Sequence, residues 1–321
     1  MKSANTPEKT LEKSYEVAQE DHDFVERMHG KYHQEIKDLD PGHENEWCPG
    51  CGNFGILMSL KKAIVNMEVA PEDFCIVSGI GQAGKMPHYV KVYGMETIHG
   101  RAIPVGTGVK LANKDLNVVV VGGDGDGYGV GMGHMIHAMR RNLNVTYLVH
   151  NNEIYGLTKG QTSPTTPKGT KTVSTPNGAI ETAVNPIETA LAGGATFIAK
   201  AFSGDIEGLA KLIQKGVEHK GFSIIDISQP CVTYNPSKNH KYFKDRVYPV
   251  EKLPSYNPAS KIWAHAVANM DHGEKIPVGI IYHSDTDRET YIDDLPEDDD
   301  ASLARQDISN IDVEGLLDKF E

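Results

Sequence analysis

The stretch NVVVVGGDGDGYGVG, residues 117–131, decides how the rest of the chain is read. An apolar run of strand length, Asn117–Val121, leads into a glycine-rich loop with an acidic residue, Asp124, at the strand end. A calcium loop of the helix–loop–helix type needs Asp or Asn at its fifth position and Glu at its twelfth. Tyr128 and Met135 stand there, so that reading fails. What remains is a strand, a carboxylate, and a helix (Met132–Arg141) whose first amides can face an anion. Similar apolar runs occur at FCIVS (74–78), VTYLV (145–149), TFIAKAF (196–202) and FSIIDI (222–227). Helical patterns lie at 55–67, Pro186–Ala192 and Asp205–Glu218. Buried strands alternating with crossover helices predict an α/β fold: a mostly parallel sheet with helices on both faces.

Three regions are expected. Residues 1–44 are charged with scattered apolar positions and read as a helical N-terminal extension. Residues 45–235 form the α/β domain. Residues 236–321 form a C-terminal extension with one helix (258–270), one strand (277–282) and an acidic tail around DDLPEDDD. A net charge of −12 over 321 residues argues against binding nucleic acid or an anionic membrane surface. Four cysteines make no disulfide framework, and no apolar leader or membrane-length run is visible, so a cytoplasmic protein is expected.

Two glycine loops follow strands, where ligands of open α/β sheets bind. The first, SGIGQAGK (78–85), fits a dinucleotide fingerprint, but Pro87 falls where the helix should continue and no acidic ribose ligand follows. A plain strand-to-helix turn is the other reading. At the second loop, Asp124 and the Asn152 that follows the VTYLVH run lie at the ends of successive strands, on one edge of the sheet. Both offer hard oxygen ligands, and the Ile154 carbonyl can complete one side of a Mg²⁺ octahedron, leaving positions open for a diphosphate. The spacing from GDG to the terminal Asn resembles the thiamine-diphosphate motif; ordinary polar turns are the alternative.

Further motifs narrow the resemblance: WCPGCGNFGIL, SGIG.AGK.PH, HGRA...GTG.KLAN, GGDGD, YGLTKGQ.SPT, AVNP and QPC, in this order over residues 47–235. Together they resemble the beta subunit of 2-oxoacid:ferredoxin oxidoreductases, close to the 2-oxoglutarate type. The resemblance implies a thiamine-diphosphate-binding fold carrying thiamine diphosphate, Mg²⁺ and an iron–sulfur cluster. It also implies an alpha subunit with the pyrimidine-binding domain, a heterotetramer, ferredoxin or a similar electron acceptor, and coenzyme A as acyl acceptor. The implied reaction is oxidative decarboxylation of a 2-oxoacid, 2-oxoglutarate to succinyl-CoA and CO₂, or its reversal. By the same resemblance Asp124, Asn152 and Ile154 bind Mg²⁺, while Gly125, Asp126, Gly156 and Leu157 hold the diphosphate, with Thr158 a weaker candidate. Ile80, Gly81, Gln82 and Ala83 pass along the coenzyme. Lys85 pairs with a substrate carboxylate unless it is a plain surface lysine, and His99 and Arg101 are structural as readily as functional.

The cysteines depart from the family pattern. Cys48, Cys51 and Cys231 match its cluster ligands, but the position expected in the GIG loop is Gln82. Cys75 lies seven residues upstream in an extended run, roughly 20 Å away at about 3.3 Å per residue, and reads as a buried strand residue. Four readings of the CxxC pair stay open: a [4Fe-4S] cluster with a non-cysteine fourth ligand, a [3Fe-4S] cluster, zinc, or a redox disulfide. Two other functions compete with the redox enzyme: a non-redox thiamine decarboxylase or carboligase without a cluster, and a non-catalytic assembly subunit that retains the cofactor.

Overall fold

The computed structural model describes residues 32–270, 274–284, 288–293, 302 and 304. Of the helical extension expected over residues 1–44, residues 1–31 lie outside these, as does most of the acidic tail, and the described part carries only a 3-10 turn, Ile36–Leu39. The strands are β1 (Phe74–Ser78), β2 (Tyr93–Glu96), β3 (Asn117–Gly123), β4 (Thr146–Asn151), β5 (Ile154–Tyr155), β6 (Gln161–Thr162), β7 (Phe197–Phe202), β8 (Ser223–Ser228), β9 (Val247–Pro249) and β10 (Ile276–His283). Eight of them form one sheet in the order β2-β1-β3-β4-β8-β7-β10-β9; β5 and β6 pair separately as a small antiparallel ribbon. Strands β2 to β7 in that order run parallel, and β10 joins β7 antiparallel.

The β-branched runs are strands because both faces of the sheet are covered. On one face Val77, Val118, Val120, Tyr147, Val149 and Ile224 meet the helices Ala102–Ala112, Met132–Arg141, Pro186–Gly193 and Lys261–Asn269. On the other, Ile76, Val119, Val121, Leu148, Ile225 and Ile227 meet the helices Asn53–Asn66 and Ile206–Glu218. Local chemistry sets the helix starts. The side chains of Asn185, Asp205 and Ser260 accept hydrogen bonds from Glu188, Gly208 and Trp263 amides, and Pro186 occupies the first turn. The Ser260 cap moves the start of the last helix from the expected 258 to Lys261.

Several elements escape the sequence reading, among them β5, β6, β9 and the short helix His240–Lys244. Strand β2 is exposed throughout and carries no apolar run, and the helix Ala102–Ala112 is masked by Pro104, Gly106 and Gly108. The first glycine loop leads not into an α-helix but into a 3-10 segment, Ala83–Tyr89, that accommodates Pro87. Among the described residues no helix is long and apolar enough to cross a membrane. The functional consequence lies in the strand order. After β1 the chain builds β2 on one side and then crosses to β3 on the other. Loops leaving the carboxyl ends of β1 and β3 therefore diverge and open a crevice at that switch point.

Candidate cofactor site

A cavity of about 540 Å³ occupies this crevice. Ile80, Gly81, Gln82 and Ala83 after β1 form one wall. Gly123, Asp124, Gly125 and Asp126 at the end of β3 form the second, and His150, Asn152 and Ile154 at the end of β4 the third. Tyr155, Gly156, Leu157 and Thr158 close the rim, with His99 and Gln229 reaching in from neighbouring loops. The fold thus brings together every oxygen donor and glycine-loop residue expected from the sequence. Lys85 is the exception. It sits half-buried in the 3-10 segment, does not line the cavity, and has no hydrogen-bond or ionic partner among the described residues.

Asp124 is 1% exposed. Its Oδ2 accepts from Ser163 Oγ at 2.5 Å and lies 2.7 Å from Thr165 Oγ1. Burial pushes its carboxyl up to about 6, against the pull of the Ser163 and Thr165 hydroxyls. A cation at this strand end relieves that cost. Thr165 Oγ1 also lies 2.9 Å from Asn151 Oδ1, and Asn151 Nδ2 donates to Asp226 Oδ1 at 3.0 Å. Tyr128 donates to the same oxygen, and Lys200 stands 3.3 Å from Asp226 Oδ2. Asp124 is therefore held from behind by a continuous polar network under the sheet edge.

Asn152 closes a tight turn. Its Oδ1 accepts from the Ile154 amide at 3.0 Å while Glu153 between them adopts φ 60°, and its carbonyl accepts from Asn235 Nδ2 at 3.1 Å. Tyr155 packs on the glycine loop and donates to the Gly125 carbonyl at 3.0 Å. A Cβ on Gly125 would lie 2.1 Å from the Tyr155 ring, so only glycine fits. Asp126 behaves differently from its neighbour. Its Oδ1 accepts from the amides of Gly100 (2.7 Å) and Ile80 (3.2 Å) and lies 3.2 Å from His99 Nδ1. Burial raises its carboxyl, and the Gly100 amide and His99 lower it. The carboxylate is occupied with backbone, so its amide is the group left for a diphosphate. Arg101 bonds only weakly to the His99 and Gly100 carbonyls, and Thr158 pairs with Gln161.

Among the residues of this site that escape the sequence reading are His150, Tyr155, Ser163, Thr165 and Gln229. His150 is 1% exposed, with Nδ1 2.8 Å from Asn53 Oδ1. Nε2 has no partner among the described residues, and burial drives the imidazole down to about 3, so it is neutral. Its signal in the sequence is a polar residue ending an apolar run, one strand across from Gly123.

The cysteine loop packs against the same cavity. The Gly52 amide donates to the Pro230 carbonyl at 3.1 Å, and a Cβ on Gly52 would meet Gln229, Pro230 and Ser203 at 2.7 to 2.9 Å. His240 Nε2 lies 2.9 Å from the Gly50 carbonyl. Trp47 is buried against Tyr89 and Phe54, and its indole donates to the Gln82 carbonyl at 2.8 Å. These contacts draw together the segments bearing Cys48, Cys51, Gln82 and Cys231. Burial pushes the Cys51 thiol up to about 11, with Cys231 and Cys48 adding to it. Cys75 lies in β1 within the apolar layer. Among the described residues no three His, Cys, Asp or Glu side chains are grouped as they would be around one metal ion.

Residues 79–227 match the thiamine pyrophosphate enzyme C-terminal TPP binding domain, and residues 231–299 match the C-terminal region of the pyruvate ferredoxin oxidoreductase beta subunit. The 2-oxoacid:ferredoxin oxidoreductase subunit beta of Saccharolobus solfataricus is 43% identical over 251 residues, 75% of this chain and 82% of that one. This chain belongs to the beta subunits of 2-oxoacid:ferredoxin oxidoreductases. The 2-oxoglutarate oxidoreductase subunit KorB of Mycobacterium tuberculosis is 43% identical over 63% of this chain and 54% of its own. The solved 2-oxoglutarate:ferredoxin oxidoreductase of Magnetococcus marinus, with 2-oxoglutarate, coenzyme A and succinyl-CoA bound, superposes with a TM-score of 0.78. It is 39% identical over 82% of this chain and 89% of that one. Membership identifies the fold as that of thiamine-diphosphate enzymes and the chain as one part of a multi-subunit oxidoreductase.

Proposed function

We propose that this beta subunit, with an alpha subunit supplying the pyrimidine-binding domain, carries out coenzyme A-dependent oxidative decarboxylation of 2-oxoglutarate to succinyl-CoA, or the reverse carboxylation. The observation that carries the reading is the meeting of three loops on one cavity: the Asp124 strand end, the Asn152–Ile154 turn and the Ile80–Ala83 loop. The donor set suits the cofactor. Asp124, Asn152 and the Ile154 carbonyl are hard oxygens for Mg²⁺, and the backbone of Gly125, Asp126, Gly156 and Leu157 is left to face a diphosphate. Thiamine diphosphate, when bound, supplies the carbon nucleophile and electron sink that loss of CO₂ requires. Lys85 is left free to pair with a substrate carboxylate. Cys48, Cys51 and Cys231 hold an iron–sulfur cluster, with Gln82 at the corner where the family resemblance expects a fourth cysteine, and ferredoxin takes the electrons. The choice of 2-oxoglutarate rests on the relatives named for it.

The test is the anaerobically purified complex with its alpha subunit. Iron, acid-labile sulfide and 2-oxoglutarate-dependent viologen reduction that requires coenzyme A support the reading. Aldehyde release without viologen reduction points instead to the non-redox decarboxylase, which loss of the cluster would favour. Bound coenzyme with neither activity points to an assembly subunit.

A further inference from the structure

One residue of the cavity turn holds a backbone conformation that is costly for its type. Glu153, between Asn152 and Ile154, has φ 60°, a left-handed setting that favours glycine and strains a residue with a Cβ. Such a residue persists only where its surroundings over-determine it. Three contacts from other segments do so here. Thr166 Oγ1 donates to the Glu153 carbonyl at 2.6 Å, Asn235 Nδ2 donates to the Asn152 carbonyl at 3.1 Å, and the Lys238 ammonium pairs with the Glu153 carboxylate.

Two of the three come from one loop, the stretch that follows Cys231. The Asn235 amide donates to the Cys231 carbonyl and the Lys238 amide to the Asn235 carbonyl, each at 3.0 Å, so both side chains stand on consecutive turns that begin at the cysteine. The Asn235 side chain is itself oriented: a carbonyl only accepts, so its nitrogen faces Asn152, and Ser237 Oγ donates to its Oδ1 at 3.2 Å. The Glu153 and Lys238 side chains are 22% and 21% exposed, so their attraction is less screened than on open surface. Two residues on, His240 Nε2 lies 2.9 Å from the carbonyl of Gly50, between Cys48 and Cys51. A single loop thus starts at one cysteine, grips the cavity turn by two side chains and ends against the other cysteine pair.

We propose that Asn235 and Lys238 are positioning residues that hold the Asn152–Ile154 turn in its strained form from the cysteine loop, so that filling the cofactor cavity tightens the loop from Cys231 to Lys238. The inference rests on the thiamine-diphosphate reading. A turn fixed in one geometry both by the clamp and by what binds in the cavity links the two: whatever stabilises that geometry from one side stabilises the contacts on the other, and the linkage is reciprocal. Its use is geometric, since the cavity and the cysteine corner then keep one separation.

Hydrogen exchange of residues 231–238 is followed in the complex of both subunits, with and without saturating thiamine diphosphate and Mg²⁺. In the wild type, bound cofactor is expected to slow exchange of the Asn235 and Lys238 amides by about tenfold or more. Asn235→Ala removes the donor to Asn152, and Lys238→Met keeps the side-chain length but removes the charge. Each is expected to lose most of that slowing and to bind cofactor roughly three- to tenfold more weakly by calorimetry. Slowing as large as the wild type's in either variant overturns the proposal, because the cofactor then covers the loop directly. Bound cofactor with no slowing in the wild type overturns it too. Should these variants not fold, Glu153→Gln breaks the ion pair from the other side and leaves the loop's sequence intact; it is expected to lose at least half of the slowing, and slowing equal to the wild type's overturns the proposal. Absence of any thiamine diphosphate binding by the wild-type complex defeats the functional reading itself, an outcome distinct from bound cofactor with unchanged exchange.

Discussion

The cavity floor and the cysteine corner are neighbours built in opposite ways. At the floor the side chains are fixed: Asp124 is held by two hydroxyls, Thr165 leans on Asn151, and Asn151 on Asp226. At the corner the backbone is fixed, through Gly52 on Pro230 and Trp47 on Gln82, while Cys48 is exposed and Cys51 has one long contact, 3.4 Å from Gln229 Nε2. A hard cation is selected by rigid oxygens set before it arrives, whereas a cluster brings its own geometry and needs only loops of the right reach. Gln229 touches both regions, lining the cavity and reaching the Cys51 sulfur.

The contrast breaks most sharply at the metal. Asp124→Ala or Asn152→Ala is expected to weaken Mg²⁺-dependent thiamine diphosphate binding by about 100-fold or more, with the chain still folded, because each removes a hard oxygen. Calorimetric affinity equal to wild type in both variants would sink the assignment. At the corner, Cys231→Ser should leave the purified complex without its cluster, whereas Cys75→Ser keeps full iron content. Gln82→Cys should slow iron loss in air by a few-fold, since a thiolate holds iron better than an amide oxygen. Iron loss on Cys75→Ser with no gain from Gln82→Cys would reverse that picture.

Support from behind is worth less than ligation. Thr165→Val removes one hydroxyl from Asp124 and from Asn151 together, and about tenfold weaker coenzyme binding is expected from the loss of a hydrogen bond to a charged group. An unchanged constant would make the network decorative. The smallest effect is on stability. His150 ordinarily titrates near 6.5 and is held near 3 in the fold. Between those values the unfolded chain binds more protons, so stability is lost as the pH falls, by up to about 1.4 kcal/mol per unit. Urea midpoints measured from pH 7 to 4 should therefore fall less steeply for His150→Phe than for wild type.

The parallel sheet was legible in the sequence because its strands are apolar on both faces and bounded by glycine. Strand β2 was not, since an edge strand exposed along its whole length has no pattern to read. Asp124, Asn152 and Ile154 could be gathered from the sequence onto one cavity because they stand at the ends of neighbouring strands. Ser163 and Thr165 could not, because their contact with Asp124 depends on how a loop some forty residues downstream folds back. Asp126 illustrates a subtler limit: the family resemblance puts it beside a diphosphate without saying which of its groups would serve, and a turn of the chain aims its carboxylate at backbone. His150 was hidden by its setting, one imidazole at the end of a strand otherwise read as core.

That aim of Asp126 has a consequence for motion. One carboxylate oxygen accepts from Ile80 in the loop after β1 and from Gly100 in the loop before the helix Ala102–Ala112. Two loops are thereby tied to the segment beginning the third, so their amides are expected to exchange with solvent as one cooperative unit. The Gly100 amide, deep in a connection between elements, should be protected nearly as long as the strands, and Asp126→Asn should release it together with Ile80.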